Sequence, residues 1–370
     1  MTSPAAMRDF ARAHVAARDL QTDAFPLDLW QAMGAAGLFR IGLREEFGGS
    51  GGGYRAIAQA EKALVEEGGC LGFGLSWTGH QMVAAWFVDG FGNDEQRQRY
   101  LPDFASGTLT ASVAISEPGS GAHPKHLKTM ARRNGDGFVI DGEKAFVTNG
   151  PIADLFIVLA ITGNEAGRNR FSAFLVPKDA PGFEIVASKP LGFLKPSPHC
   201  QLRLTSCRVP EAAMLGSEGT AYDRMALRFR DVEDAVGAGG LIGIAGHLLR
   251  LVGARHAGEQ TQETLAVLGE LAALQALIAP VLASVVDPLD GKSGGRADAA
   301  AQLIGLRLTV QRMLQLVGTL PAADDGAIAA VLNDLRGTLN IARGPRAVRQ
   351  ARLGSDLVAA ASAAERRTEG

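Results

Sequence analysis

The stretch Asp136-Gly137-Phe138-Val139-Ile140-Asp141-Gly142-Glu143-Lys144-Ala145-Phe146-Val147-Thr148-Asn149-Gly150 decides how the chain is read. Phe138-Val139-Ile140 and Ala145-Phe146-Val147-Thr148 are apolar runs on either side of Asp141-Gly142, the pattern of a β-hairpin. Alternation along the second run puts Phe146 and Thr148 on one face, side by side. An aromatic ring beside a hydroxyl suits a flat ligand with a polar edge, and it equally suits an ordinary half-exposed sheet. Upstream, Ser116-Glu117-Pro118-Gly119-Ser120-Gly121 leaves an alternating strand over Thr110–Ser116 into a glycine turn. Two strand ends therefore carry polar groups.

Working outward, Leu155–Ile161, Phe171–Val176 and Gln201–Leu204 read as further short strands, so strands fill Leu109 to Val209. The residues before them read as helices. Pro26 suits a first helical turn, Leu27, Trp30, Met33 and Leu38 follow at helical spacing, and Gly37 marks a stop. Asn93 is an N-cap with acids in the first turn behind it. The run Gly48-Gly49-Ser50-Gly51-Gly52-Gly53 is either a phosphate-binding loop or a plain connection. It lacks the lysine and the strand-loop-helix setting of a P-loop. From Tyr222 onward Ala, Leu and Arg dominate and helices return. Helix, then sheet, then helix in separate blocks is an α+β arrangement. The domains fall at 1–107 (helical), 108–212 (the β-domain) and 213–370 (helical).

Composition narrows the functional classes. The 370 residues are 46% hydrophobic and 21% charged, with a formal net charge of -2. Nucleic acid asks for a basic face, and no dense Lys/Arg cluster precedes Arg343, Arg346, Arg349 and Arg352, which read as a solvated or interface helix face. No nucleic-acid partner is expected. Cys70, Cys200 and Cys207 have no metal-ligand spacing and cannot all pair, so no metal is expected and a reduced cytoplasm is the simplest setting. No run of about 18 apolar residues stands out, so no membrane span is expected. Asp9 and Asp19 mark the N-terminus as a structural first helix instead of a transit peptide.

Ala114-Ile115-Ser116-Glu117-Pro118-Gly119-Ser120-Gly121 resembles the acyl-CoA dehydrogenase signature Thr-Glu-Pro-x-x-Gly-Ser-Asp. The quoted stretch 136–150 resembles that family's second signature, Gly-Asp-Gly-x-x-Leu-x-Gly-x-Lys-x-Trp-Ile-Thr-Asn-Gly. The likeness continues through Arg44–Gly51, Phe91–Arg97, Tyr100-Leu101-Pro102, Cys207–Pro210 and Leu215–Gly219, in the family's order. It implies N-terminal helices, a central β-barrel-like domain and a C-terminal four-helix bundle. It further implies FAD held between sheet and bundle and completed by a neighbouring subunit. On the resemblance, Ser116 stands for the threonine at the flavin's pyrimidine edge. Phe146 stands for the tryptophan packed on the flavin, and Thr148 for the threonine near flavin N5. Gln315 and Gly318 in Leu314–Thr319 look like the segment reaching the neighbouring FAD. Arg255 looks like the arginine that reaches it too.

The chain also departs from the family. Ala122-His123 replaces Ser-Asp, and His123 reads as exposed. Ile341-Ala342-Arg343-Gly344 falls where most members carry Tyr-Glu-Gly, so Arg343 stands in the place of the usual base. A subset of the family carries its base on an earlier helix. Anchoring on Gly243-Ile244-Ala245 puts Glu233 there, although helical spacing also suits a surface glutamate. The implied activity is an FAD-dependent dehydrogenase of lipid metabolism, placing an α,β double bond in an acyl-CoA or other acyl thioester. It would pass electrons to an electron-transferring flavoprotein and work as a homo-oligomer or paired subunit. Two alternatives stand beside it: a base-deficient subunit of a heteromeric dehydrogenase, and a flavin monooxygenase on the same fold.

Overall fold

Ser3 opens the first helix, its hydroxyl accepting from the Ala6 amide, with Pro4 next in the first turn. The structure, a computed structural model, describes residues 3–119, 121–258, 261–291, 296–321 and 325–368. The chain forms two compact units, Met1–His247 and Leu248–Gly370.

The first unit begins with α1 (Pro4–Phe10), α2 (Leu27–Ala35), α3 (Gly53–Gly68), α4 (Leu71–Met82) and α5 (Asp94–Ser106). Leu29, Trp30 and Met33 of α2 are buried, and Gly37 ends the turn after it at φ +70°. Asn93 and Gln96 close a reciprocal capping box at the start of α5. The glycine run 48–53 is a connecting loop folded onto residues 40–43. Ser50 N donates to Arg40 O at 2.8 Å and Gly51 N to Leu43 O at 2.8 Å. A Cβ on Gly49 would lie 2.1 Å from Leu43 O, so the backbones meet where no side chain fits.

His80 of α4 sits in an aromatic cage, its ring centroid 5.7 Å from Trp30, 4.9 Å from Phe39 and 5.5 Å from Phe104. Burial pushes its imidazole down to about 4, so it is neutral. Nδ1 accepts from Ala111 N at 3.4 Å, tying the helical layer to the first strand.

The strands are β1 (Ala111–Ala114), β2 (Met130–Asn134), β3 (Gly137–Thr148), β4 (Leu155–Glu165), β5 (Arg168–Pro177), β6 (Phe183–Ala187), β7 (His199–Pro210) and β8 (Met214–Leu215). The sheet runs β6-β7-β3-β2-β4-β5-β8, with β1 parallel beside β4. Phe138, Ile140, Val147, Phe156, Val158, Phe174, Leu202 and Leu204 belong to its buried core.

One feature differs from the sequence reading. Asp141-Gly142 is not a hairpin turn: β3 is continuous, and the turn to β2 lies at Asn134–Gly137. Asp-Gly marks a bulge instead, where the pairing with β7 shifts between Ile140 and Gly142. Gly142 has φ +151°, and a Cβ there would lie 2.6 Å from Thr129 Oγ1. The strand is also irregular at Phe146, where a second register shift lies between Lys144 and Val147.

After β8 the chain turns at Tyr222–Ala226 into α6 (Leu227–Val236) and then α7 (Ala238–Arg255). The second unit is helical throughout its described residues. It holds α8 (Gln262–Ile278), α9 (Val281–Val286), α10 (Arg296–Val317), α11 (Gly326–Asn340) and α12 (Arg343–Thr368). Leu271, Val285, Val310, Met313, Leu332 and Leu335 are buried in it. Arg343 and Arg352 of α12 are exposed. On length and composition alone, Tyr222–Arg255 and Gln262–Asp290 are apolar enough to cross a bilayer. The first is mostly buried in the protein and the second mostly exposed.

Candidate functional site

Ser116 leaves β1 on a loop that is pinned from beneath. Its carbonyl accepts from Ala145 N at 2.9 Å, and Glu117 and Gly121 exchange backbone bonds of 2.9 and 3.1 Å. The Glu117 side chain turns inward, where it meets Lys144 Nζ of β3 at 3.0 Å. It also accepts from Lys128 N at 2.7 Å and Thr129 N at 2.9 Å. Lys144 Nζ donates further to Ile115 O at 3.2 Å. Burial drives the Glu117 carboxyl up, but the Lys144 charge and these donors together hold it below its ordinary value. Burial pushes the Lys144 ammonium down to about 8, against the pull of Glu117. The pair locks the loop of Ser116 to the strand of Phe146.

The bulge in β3 presents Phe146 at φ +57° with 68% of its surface exposed, while Val147 enters the core. Thr148 is half-buried, and its carbonyl accepts from the Ser112 hydroxyl. Asn149 then takes a left-handed conformation at φ 63°. Its amide N donates to Pro198 O at 2.8 Å, and its Nδ2 to Ser76 O of α4 at 2.7 Å. Gly150 packs on β7 so closely that a Cβ would stand 2.2 Å from Cys200 Sγ. A tight turn between α4 and β7 thus fixes the end of β3.

Against this rigid background, the hydroxyls of Ser116 and Thr148 make no hydrogen bond among the described residues, although both residues are half-buried. The arrangement offers two open polar groups and one uncovered aromatic ring on neighbouring strand ends. It can take a flat, polar-edged ligand.

The other residues singled out in the sequence lie elsewhere. Glu233 is exposed on α6, and Asp234 beside it is half-buried. His123 is exposed, in ring contact with His126 at 4.9 Å between centroids. Arg255, Gln315 and Gly318 belong to the second unit and are exposed there, and Arg343 is exposed at the start of α12. Sequence reasoning missed the Glu117–Lys144 pair and the tie from Asn149 to Ser76. It also missed Tyr222, whose hydroxyl lies 3.5 Å from Ala122 O beside the Ser116 loop. A lysine among apolar residues in a buried strand was the available signal for the pair.

Comparison with known proteins agrees with this architecture. Residues 4–108 match the acyl-CoA dehydrogenase N-terminal domain and residues 112–207 the middle domain, together more than half of the chain. The chain is 35% identical to an acyl-CoA dehydrogenase of Bacillus subtilis (strain 168) over 219 residues, 58% of this chain and 57% of that protein. It is 32% identical to the short-chain specific acyl-CoA dehydrogenase of Clostridium acetobutylicum over 246 residues, 66% of this chain and 62% of that one. The matches thus span less than two thirds of these relatives. Butyryl-CoA dehydrogenase from Megasphaera elsdenii has the same fold, with a TM-score of 0.83 at 21% identity over 96% of this chain and 97% of that one. So does the prolyl acyl carrier protein oxidase AnaB, with a TM-score of 0.81 at 23% identity over 96% and 97%. On its sequence motifs, its fold and the domains it matches, the chain belongs to the acyl-CoA dehydrogenase family.

Proposed function

We propose that the chain is an FAD-dependent dehydrogenase acting on the CH–CH bond beside a thioester carbonyl. The observation that carries this reading is the pair of unpartnered hydroxyls, Ser116 and Thr148, flanking the exposed ring of Phe146. Hydroxyls with no partner among the described residues are open to water and free to bond a ligand. The flavin of FAD is flat with a polar edge, and these residues fit it. Ser116 and Thr148 would hydrogen-bond its edge, and Phe146 would pack on its ring. Bound FAD supplies the hydride acceptor. The Glu117–Lys144 pair and Asn149 keep the two strand ends at a fixed spacing, and Glu233 takes the α-proton of the thioester. Arg255, Gln315 and Gly318 serve the FAD of a neighbouring subunit, and electrons leave to an electron-transferring flavoprotein. The substrate is an acyl-CoA or another acyl thioester, and the setting is cytoplasmic lipid metabolism. Two relatives named for acyl-CoA and a fold neighbour named for a carrier protein support the thioester class.

A second reading has its own observation. Glu233 and Arg343 are both exposed, and the buried carboxylates among the described residues of the first unit are Glu117, spent on Lys144, and Glu61 on α3. This favours a base-deficient subunit that works beside an intact dehydrogenase. One experiment separates the two. The protein is purified alone, its flavin spectrum recorded, and acyl-CoAs are added without oxygen. Yellow protein that bleaches supports the first reading. Yellow protein that bleaches only with a co-expressed relative carrying Tyr-Glu-Gly supports the second. Colourless protein that takes up no FAD in either setting sinks both.

A further inference from the structure

Glu61 is buried on α3 with 2% of its surface exposed, and the proposed reaction gives it no task. Among the described residues its Oε2 has no hydrogen-bond partner in geometry, and neither has the Thr78 hydroxyl of α4 that approaches it. Glycines form the rest of its surroundings. A Cβ on Gly240 would stand 2.7 Å from Glu61 Oε1, and one on Gly239 3.3 Å from Oε2. Gly239 also rests on α3 itself, since its Cβ would lie 2.2 Å from Ala58 O. Both glycines belong to the first turn of α7, so α3 and α7 meet backbone to backbone with this carboxyl between them.

The contact lies at the joint between α6 and α7. Gly237 N donates to Glu233 O at 2.9 Å, and Leu241 N to Gly237 O at 3.2 Å, so one turn links the two helices. The Gly240 N–H is a first-turn amide of the kind a cap must satisfy, and it is turned toward Glu61.

Among the described residues, no cation balances the carboxyl. On α3, Lys62 is paired with Glu66, and Glu67 takes Arg8 and Arg12 from the N-terminal helix. On α4 the face toward Glu61 presents Gly74 and Thr78, and His80 is enclosed in its aromatic cage. On α7, His247 bonds Glu66 O at 3.0 Å. On α6, Arg228, Arg230, Asp231 and Glu233 are exposed and Asp234 is half-buried.

We propose that Glu61 is a proton-dependent clasp on the α6–α7 joint. With its proton, the carboxyl donates to Thr78 and accepts from Gly240 N–H, which satisfies the unpartnered atoms and holds α7 against α3. Without it, a buried charge is met only by the Thr78 hydroxyl and the Gly240 N–H, too little to offset its burial, and the joint opens to water. Burial pushes the Glu61 carboxyl up to about 8, against smaller lowering effects of Thr78 and Gly240 N–H. The folded value lies above the unfolded one. The stabilisation is therefore complete in acid and is lost as pH rises through about 8. The joint carries α6, whose preceding turn holds Tyr222 beside the Ser116 loop, so opening reaches the candidate site.

The test is hydrogen exchange of the full chain at about pH 6 and about pH 10, corrected for the intrinsic exchange rate. Wild type is expected to lose at least about tenfold protection over residues 237–243 at the higher pH. Glu61→Gln keeps the hydrogen bonds without the charge, so its protection there should not change with pH. An equal loss in both proteins overturns the proposal. If Glu61→Gln does not fold, the Gly240 amide shift in wild type is titrated by NMR. A midpoint near 8 supports the clasp, whereas a midpoint in the ordinary carboxylate range, or no titration, overturns it.

Discussion

Lys144 and Glu117 form an ion pair of 3.0 Å with side-chain exposures of 0% and 6%. It joins the strand that carries Phe146 to the loop that carries Ser116. Removing one partner of a buried pair leaves an uncompensated charge. Lys144→Met should therefore destabilise the protein by about 3–5 kcal/mol. Changing both residues, as Lys144→Met with Glu117→Gln, should recover part of that loss, because the charge is removed while the amide oxygen still accepts from a backbone N–H. Urea unfolding of the two variants measures it, and a double variant as unstable as the single one contradicts the account.

The same pair sets an acid limit. The Glu117 value is held below that of the unfolded chain, so its contribution is present above the ordinary carboxylate range and fades as pH falls through the folded value. Glu117→Gln should show a flatter acid limb than wild type in thermal melts taken from neutral pH downward. Parallel acid limbs would count against this role.

Thr148→Ala and Ser116→Ala should each leave stability within about 0.5 kcal/mol of wild type, since neither hydroxyl has a partner among the described residues. Each should weaken FAD by about 1 kcal/mol, roughly fivefold in Kd. Flavin fluorescence titration reads the second effect and urea unfolding the first. Destabilisation without a change in FAD affinity would make these hydroxyls structural.

Gly150→Ala places a methyl where Cys200 Sγ lies 2.2 Å away. Overpacking of this kind costs about 1–3 kcal/mol. Adding Cys200→Ala should relieve it, because the sulfur is the obstacle. Melting temperatures of the single and double variants decide the matter, and no rescue would place the strain in the backbone.

If Glu233 takes the α-proton, Glu233→Gln should slow flavin reduction by about 100-fold to 10000-fold, the range for losing a general base. A solvated helix glutamate would leave the rate unchanged. Wild type that never bleaches, together with Arg343→Glu protein that does, would identify a subunit that has lost its base at position 343.

Much of the fold was legible because its signals are local. The Asn93 cap, the stop at Gly37 and the apolar runs of β4 and β5 each depend on neighbours in sequence. The errors came where a distant partner decides. Asp141-Gly142 has the composition of a turn, but pairing with β7 carries the strand straight through it as a bulge. The second register shift, beside Phe146, likewise depends on pairing with β7 and has no local signal. The residues facing the ligand were legible as types at motif positions. Their support was not, because Lys144 meets Glu117 across 27 positions of sequence and Asn149 reaches Ser76 across 73.

The outermost members of the sheet are β6 and β8, and β8 has only two residues. A strand that short offers too few free amides and carbonyls to template a stranger. On the opposite margin, Glu184 of β6 bonds Arg203 of β7 at 2.9 Å, which puts charge along that rim. The charged β6 rim therefore discourages a further strand from another molecule, whereas β8 covers only Ala173 and Phe174 of β5. The exposed ring of Phe146 thus belongs to a sheet that is guarded by charge at its β6 rim.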